Sequence, residues 1–279
     1  MVLNCGLDLM GRILRIFTRR NGSILMSEIS ICIPTYEYGG NGVKYLTELF
    51  DSIASQTLQD FDIVISDHSI DDTIRNFCET CEYDFDITYI QNPNGRGYQA
   101  PNTNCALSNA EGRILKLIYQ DDIFVDNTAL EKIKNAYDST GCKWLFHGFT
   151  HTTDGIETHR DCVPMWTEMM LEGNNHLGSP SCVSFLNGYE MDMDEGMKLL
   201  IDTELYHRMR IEYGMPEIIP DVLIANREHD NRVSENRVKY DMVLQSSDGK
   251  RWMVNSGEIN HIREKHKDFF EVRRYPDEN

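Results

Sequence analysis

The sequence contains no long apolar run. No segment approaches the ~18 consecutive apolar residues that a membrane-spanning helix needs. The opening segment also lacks a small-residue cleavage site after an apolar core. We therefore expect a cytoplasmic protein that makes at most peripheral contact with the cytoplasmic face of a membrane.

Basic side chains are scarce relative to acidic ones. The chain has 27 lysines and arginines against 45 aspartates and glutamates, which gives a formal net charge of -18. Low-specificity binding to nucleic acid requires a basic surface, because lysine and arginine must neutralise the phosphates. We therefore expect no nucleic-acid partner, although local basic residues can still hold one diphosphate.

The eight cysteines are spread along the chain rather than clustered. A small secreted domain would carry them as a dense disulfide framework, so reduced thiols are the simpler interpretation. Cys78 and Cys81 have C-x-x-C spacing, but no second pair follows at the spacing of a zinc site. The cysteines therefore indicate neither a disulfide scaffold nor structural zinc.

Apolar runs alternate with helical periodicity along the chain. After a predicted strand at residues 29–34, apolar side chains recur at three- and four-residue steps up to Ile53, which predicts a helix. Strands separated by helices of this length imply a mostly parallel, doubly wound α/β sheet with helices on both faces. The other strands are predicted at residues 61–66, 87–90, 113–119 and 143–150.

The chain divides into three predicted parts. Residues 26–235 carry the α/β pattern, residues 1–25 precede it as an N-terminal extension, and residues 236–279 follow it as a polar C-terminal tail. The extension combines four arginines with apolar residues. It is therefore either a disordered extension or a short basic amphipathic helix weakly associated with an anionic membrane.

Polar side chains follow several of the predicted strands. In parallel sheets, ligands bind beyond the carboxyl ends of the strands, where these side chains meet. Asp67 follows one strand, and the doublet Asp121-Asp122 follows another. Oxygen ligands on a short acidic loop suit Mg²⁺ or Mn²⁺, which commonly complete their shells with substrate phosphate. A solvated turn or a helix N-cap would explain an isolated doublet equally well.

These segments and their order resemble the family 2 glycosyltransferases, whose fold is named GT-A. The resemblance covers residues 29–234 and rests on several motifs together rather than on one. The motifs are residues 31–36 (ICIPTY), 63–73 (IVISDHSIDDT), 92–97 (NPNGRG) with 101–104 (PNTN), and 118–124 (IYQDDIF).

The resemblance implies transfer of a sugar, with inversion, from a nucleotide diphosphate sugar, most simply a UDP-sugar. The acceptor would be a saccharide, a lipid-linked molecule or a protein. Residues 26–125 would form the nucleotide-binding half, with Asp67 on the base, and residues 126–235 a smaller, mixed acceptor half. The residues implied to contact the donor are Pro34, Thr35, Tyr36, Asp67, Asn94, Arg96, Asn102, Gln120, Asp121 and Arg232.

The resemblance also implies a metal site and a catalytic base. Asp121, Asp122 and His229 would hold Mn²⁺ or Mg²⁺, with Asp121 the main ligand because Tyr119 replaces the family's usual first aspartate. Asp202 matches the position of the family's base, which takes the proton of the acceptor hydroxyl. An N-cap role for Asp202 is compatible with this assignment.

Two alternatives belong to other classes of function. A nucleotidyltransferase would normally show a Gly-x-Gly-Thr-Arg loop after the first strand, but residues 39–42 (GGNG) lack that arginine. A catalytically silent nucleotide-sugar-binding protein would explain the missing carboxylates at Ser66 and Tyr119. The retained Asp121, Asp202 and His229 favour the enzyme. A dinucleotide oxidoreductase is a weaker alternative still, because no G-x-G-x-x-G motif follows the first strand.

Overall fold

The computed structural model describes the backbone of residues 2–4, 15–18, 26–37, 39–229, 242–245 and 251–269. Side chains are described for residues 26–37, 39–229 and 255–269. Arg232, one of the predicted donor contacts, lies outside the described residues.

Four parallel strands form the first half of the sheet. Their order is β5-β4-β3-β6, and the ranges are β3 (Ile29–Thr35), β4 (Phe61–Asp67), β5 (Ile87–Gln91) and β6 (Ile114–Leu117). Every residue of β3 is buried. Because successive side chains of a strand point to opposite faces, this burial means that both faces of the sheet are covered at its centre.

Helices follow the first three of these strands, as the apolar spacing predicts. In α1, Leu46, Leu49, Phe50 and Ile53 are buried on one face. The helices are α1 (Gly42–Ala54), α2 (Thr73–Thr80) and α3 (Gln99–Ser108). The predicted strand–helix alternation over this half is confirmed, with boundaries displaced by one to a few residues.

The second half of the sheet is mixed. Here β10 (Val183–Leu186) runs antiparallel between β6 and β8 (Trp144–Thr152). Strand β11 (Glu217–Arg227) is parallel to β8. The remaining described elements of this half are β7 (Ile123–Phe124), β9 (Thr158–Cys162), α4 (Ala129–Thr140) and α5 (Ile201–Tyr213).

Aromatic packing attaches α5 to the sheet. The Tyr206 ring of α5 lies 4.8 Å from the Phe146 ring and 6.3 Å from the Trp144 ring, centroid to centroid. All three side chains are fully buried. Trp144 therefore belongs to the core, and this packing fixes the helix that carries Asp202.

The segments that flank residues 26–235 also contain regular structure. Near the start of the chain, β1 (Val2–Asn4) pairs with β2 (Arg15–Thr18), and β2 pairs antiparallel with β5. Residues 2–4 and 15–18, which lie within the predicted N-terminal extension, therefore form strands of the sheet. Beyond residue 235, β12 (Met242–Gln245) pairs with β13 (Arg251–Val254), and α6 (Ser256–Lys265) follows.

No helix in the described part of the chain combines the length and the apolar character needed to cross a membrane.

Candidate active site

A cleft of about 480 Å³ opens at the carboxyl ends of β3, β4 and β6, where the sequence predicted a ligand site. Its size falls within the range of roughly 300–1,000 Å³ that is typical of small-molecule sites. The cleft is lined by residues from the loops after these strands and by residues 97–99 and 178–180. The wall is completed by the start of α5, the end of β11, and residues Asn102, Phe149 and His151.

Two buried amides hold the loop that follows β3. Gln120 donates from Nε2 to the Tyr36 carbonyl at 2.8 Å, and its Oε1 accepts from the Tyr36 backbone N–H at 2.5 Å. Asn102 donates to the Thr35 carbonyl at 2.9 Å and accepts from the Ser66 hydroxyl at 2.7 Å. The predicted residues Pro34, Thr35, Tyr36, Asn102 and Gln120 therefore all line the cleft, and the two amides act mainly on the protein backbone.

Asp67 lies beneath the cleft rather than in its lining. Its carboxylate accepts from the Ser69 backbone N–H and hydroxyl at 2.8 and 2.6 Å, and from the Tyr89 hydroxyl at 2.7 Å. Burial raises the pKa of Asp67. Because these internal donors occupy a fully buried carboxylate, the structure does not bring Asp67 to the position predicted for a base contact.

His68, which sequence reasoning missed, lines the cleft beside Thr35 and Tyr36. The side chain is 3% exposed, and no described residue hydrogen-bonds its Nε2 atom. Burial lowers the pKa of His68 to about 4, so the imidazole is neutral near pH 7. β4 ends at Asp67 and His68 follows it, and sequence alone does not say which of the two side chains lines the cleft.

The glycine-bearing loop after β5 reaches the cleft through different residues from those predicted. Gly97 and Tyr98 line the cleft, whereas Asn94 and Arg96 do not. The Lys198 ammonium lies 4.6 Å from the centroid of the Tyr98 ring, and both side chains face the cleft. Lys198 had no sequence signal of its own, because it lies in an irregular segment before α5.

The two aspartates of the doublet contact different parts of the protein. The Asp121 carboxylate lies 2.9 Å from Nε2 of His229, and both side chains stay partly accessible, at 15% and 13% exposure. The His229 ring also stacks on Tyr45, with 5.6 Å between centroids. The structure therefore joins two of the three predicted metal ligands.

Asp122, the third predicted metal ligand, is hydrogen-bonded to the end of β11. Its oxygens accept from the Asn226 side-chain amide and the Arg227 backbone N–H, both at 2.9 Å. Burial raises the pKa of Asp122, and the charge of Asp121 raises it further. A buried carboxylate needs such donors, so Asp122 ties the doublet to β11.

Asp121 and His229 fit a divalent cation only as a partial set of ligands. Within the described residues, no group of three or more histidine, cysteine, aspartate or glutamate side chains is arranged to hold a metal ion. Mg²⁺ commonly binds through one or two carboxylates plus substrate phosphates and water. Two protein ligands, one of which (Asp121) lines the cleft, are compatible with that mode of binding.

Arg227 is a further basic residue that sequence reasoning did not assign. It lines the cleft, and its guanidinium pairs with Glu48 and donates from Nε to the Asp121 carbonyl at 2.9 Å. The same group lies 4.8 Å from the centroid of the Tyr45 ring. Arg227 therefore braces the backbone of Asp121. Its position two residues before His229, a predicted metal ligand, was the available signal.

Asp202 lies in the first turn of α5 and lines the same cleft as Asp121. Its carboxylate accepts from the Asn175 amide at 2.9 Å and from the Thr203 backbone N–H at 2.8 Å. Burial raises the pKa of Asp202 to about 6, which is near the range that suits a general base at neutral pH. The N-cap residue of α5 is Leu200, so Asp202 is not the cap.

A buried lysine supports the loop at residues 178–181, opposite the doublet. The Lys116 ammonium donates to the carbonyls of Ser181 and Leu117 at 2.5 and 3.1 Å and lies 3.0 Å from His147 Nε2. Burial lowers the pKa of Lys116 to about 7 and that of His147 well below its usual value. The Ser181 hydroxyl in turn accepts from the Tyr119 backbone N–H at 2.9 Å, so the loop is held on both sides.

The family model for glycosyl transferase family 2 matches residues 30–182, more than half of the chain. The protein therefore belongs to glycosyl transferase family 2, as the sequence motifs predicted.

Two curated relatives carry related names. An uncharacterized glycosyltransferase of Rickettsia prowazekii (strain Madrid E) is 33% identical over 102 residues, which are 36% of this chain and 29% of the relative. An uncharacterized glycosyltransferase of Rickettsia felis (strain ATCC VR-1525 / URRWXCal2) is 29% identical over 98 residues, 35% of this chain and 15% of the relative. The chain thus matches less than a third of the length of either protein.

Solved structures share the fold. S. aureus TarS 1-349 in complex with UDP-GlcNAc aligns with a TM-score of 0.56 at 16% identity, over 76% of this chain and 62% of that one. The mannosyltransferase PcManGT from Pyrobaculum calidifontis, in complex with GDP-Man and Mn²⁺, aligns with a TM-score of 0.52 at 15% identity, over 75% and 59%. The predicted GT-A fold is confirmed.

Proposed function

We propose that this protein transfers a sugar from a nucleotide diphosphate sugar to an acceptor hydroxyl with inversion at the anomeric carbon. One observation carries the proposal: Asp202 and Asp121, the latter beside His229, line the same cleft at the strand ends. These residues are the candidate base and the candidate metal ligands of a single site.

The donor belongs in the part of the cleft formed by the loops after β3, β4 and β6. His68 lines this part of the cleft with a ring nitrogen, Nε2, that no described residue hydrogen-bonds, and Tyr36, which is 37% exposed, is an aromatic side chain of the kind that stacks on a base. A UDP-sugar is our first choice of donor, since TarS 1-349 has been solved with UDP and with UDP-GlcNAc. A GDP-sugar is the next choice, from the PcManGT complex.

A divalent cation held by Asp121 and His229, Mn²⁺ or Mg²⁺, would offset the charge that develops on the leaving diphosphate. Hydrogen bonds within the protein also hold the aspartate doublet in place. Arg227 braces the Asp121 backbone, and the Asn226 side chain together with the Arg227 N–H fixes the neighbouring Asp122.

Asp202 is the proposed general base. With its pKa raised to about 6, the carboxylate is ionised at neutral pH and is still a stronger base than an exposed aspartate. It would take the proton of the acceptor hydroxyl as that oxygen bonds to the anomeric carbon. The bond from the anomeric carbon to the diphosphate breaks on the opposite face, and the nucleoside diphosphate leaves. The acceptor would be a saccharide, a lipid-linked molecule or a protein.

A donor screen tests the proposal. The protein is incubated with UDP-, GDP- and dTDP-sugars plus Mn²⁺, and release of nucleoside diphosphate is followed with and without saccharide acceptors. We expect slow hydrolysis or transfer with one donor, dependent on a divalent ion. Failure of calorimetry to detect nucleotide binding, with or without metal, would refute the enzyme assignment. Tight binding without turnover would instead favour a nucleotide-sugar-binding protein.

A further inference from the structure

Glu258 of α6 binds the backbone that leads into α5. Its carboxylate accepts from the N–H groups of Lys198 at 2.8 Å, Leu199 at 3.0 and 3.1 Å, and Leu200 at 2.8 Å. Backbone donors at the start of a helix have no partner within the helix, and the helix dipole favours a negative charge there. A carboxylate from a distant part of the chain therefore supplies the missing acceptor.

The backbone held by Glu258 is part of the cleft wall. Lys198, Leu199, Ile201 and Asp202 all line the cleft. Helix α5 begins at Ile201, so residues 198–200 directly precede it. Because Glu258 holds the N–H groups of residues 198–200, this stretch remains outside the helix and carries Lys198 to the ring of Tyr98.

Helix α6 is attached to the domain by other contacts as well. Ile259 and Ile262 are buried in the core. Lys265 and His261 lie 2.6 and 3.1 Å from the Asp194 carboxylate. Removal of the Glu258 charge should therefore leave the helix docked, and the effect should fall mainly on residues 198–200 and the side chains that follow.

We propose that Glu258 is a positioning residue of the active site, because it fixes the backbone that places Lys198 and Asp202 in the cleft. This inference rests on the proposed function, in which Asp202 is the base. It also means that the helix Ser256–Lys265, which lies in the predicted C-terminal tail, supports the active site.

The charge of Glu258 has a second consequence for Asp202. After burial, the negative charge of Glu258 contributes to the raised pKa of Asp202. Replacing Glu258 by a neutral residue should therefore lower that pKa. The acidic limb of the pH–rate profile should then move slightly to lower pH, because burial remains the main cause of the raised pKa.

The test compares Glu258→Gln with Glu264→Gln. Glu264 is exposed on the same helix, so the control makes the same chemical change away from the cleft. We expect kcat of Glu258→Gln to fall roughly 10- to 100-fold, as misplaced catalytic groups do. KM for the donor and the affinity for UDP with Mn²⁺ should change by less than about twofold. The control should match the wild type.

Hydrogen exchange gives a readout independent of activity. In Glu258→Gln the amides of residues 198–200 should exchange on the order of tenfold faster, because charge-assisted bonds are lost. Glu258→Ala, a larger perturbation, should show the same pattern more strongly if it folds. Unchanged exchange in Glu258→Gln, or faster exchange with unchanged kcat and an unmoved pH profile, would overturn the proposal.

These outcomes are separable from failure of the proposed function. If the wild-type protein turns over no nucleotide sugar, the proposed function fails, and unchanged exchange at residues 198–200 would then refute the backbone contact as well. If the wild type is active and Glu258→Gln equals it in kcat, only the positioning role of Glu258 is wrong.

Discussion

The Asp121 carboxylate lies 2.9 Å from the His229 imidazole, although 108 positions separate the two residues in the chain. Strand β11 makes this contact possible. It runs parallel to β8 and antiparallel to β7, so its end returns to the loop that carries the doublet. The Asp122 carboxylate then fixes the register, because it accepts from the backbone N–H of Arg227, two residues before His229.

Asp121→Ala should abolish metal-dependent turnover. The substitution removes the carboxylate that faces His229 and leaves Asp122, whose oxygens are already bonded to Asn226 and Arg227. We expect loss of Mn²⁺-stimulated release of nucleoside diphosphate from the donor identified in the screen. Asp161→Ala, an exposed aspartate of β9, is the control. Full activity of Asp121→Ala in Mn²⁺ would remove Asp121 from the metal site.

Asp202→Asn should reduce kcat by roughly 10²- to 10⁴-fold, the usual contribution of a general base. Affinity for the nucleotide should stay nearly unchanged, because Asp202 acts on the acceptor. In the wild type, kcat should rise with pH through about pH 6 as Asp202 loses its proton, and this limb should vanish in the variant. A comparable loss of nucleotide affinity would sink the assignment of Asp202 as base.

Asp202→Asn should not lower the stability of the protein, although it lowers kcat. The pKa of Asp202 is raised in the folded protein, so above pH 6 the folded state holds a buried charge that the unfolded chain would expose to water. The contribution of Asp202 to the free energy of unfolding is therefore most favourable when the side chain is protonated. This contribution is lost as the pH rises towards and through 6. Asp202→Asn should have an equal or higher Tm than the wild type at pH 7.5, measured by calorimetry.

His68→Ala and Asp67→Asn should separate ligand binding from stability. His68 faces the cleft, so its removal should weaken UDP affinity by roughly 2- to 10-fold, the effect of one hydrogen bond. Asp67 is bonded internally to Ser69 and Tyr89. Asp67→Asn should cost about 1–3 kcal/mol of stability. Calorimetric titration with UDP and thermal unfolding of both variants test this prediction. Weaker UDP binding by Asp67→Asn and lower stability of His68→Ala would instead support Asp67 as the base contact.

Lys116 should make stability rise with pH above neutrality. Its pKa is about 7 in the folded state but about 10.4 in an unfolded chain. Between these values the unfolded state binds more protons, so the free energy of unfolding increases with pH. The wild-type Tm should therefore gain more than that of Lys116→Met between about pH 7 and pH 10. The exposed Lys267→Met is the control, and parallel curves for all three proteins would contradict the prediction.

The sequence by itself determined the alternation of strands and helices over the first half of the sheet and the edge of the sheet where the cleft lies. Apolar spacing identified the core strands and α1, because a buried strand and a one-sided helix each impose a period on the chain. Motif order was enough to indicate the family, and it selected Asp121, Asp202 and His229 as candidates for chemistry. Of the residues predicted to contact the donor, Pro34, Thr35, Tyr36, Asn102, Gln120 and Asp121 line the cleft.

Only the tertiary structure decided which side chains face the cleft. At the end of β4 it turned His68 towards the ligand space and Asp67 into the core, and in the doublet it committed Asp122 to Asn226 and Arg227. Neither outcome follows from residue type, because a carboxylate can be satisfied by internal donors or by a ligand. The contact of Glu258 with residues 198–200 spans about sixty positions, and it depends on the docking of α6 against the core, which no local pattern encodes.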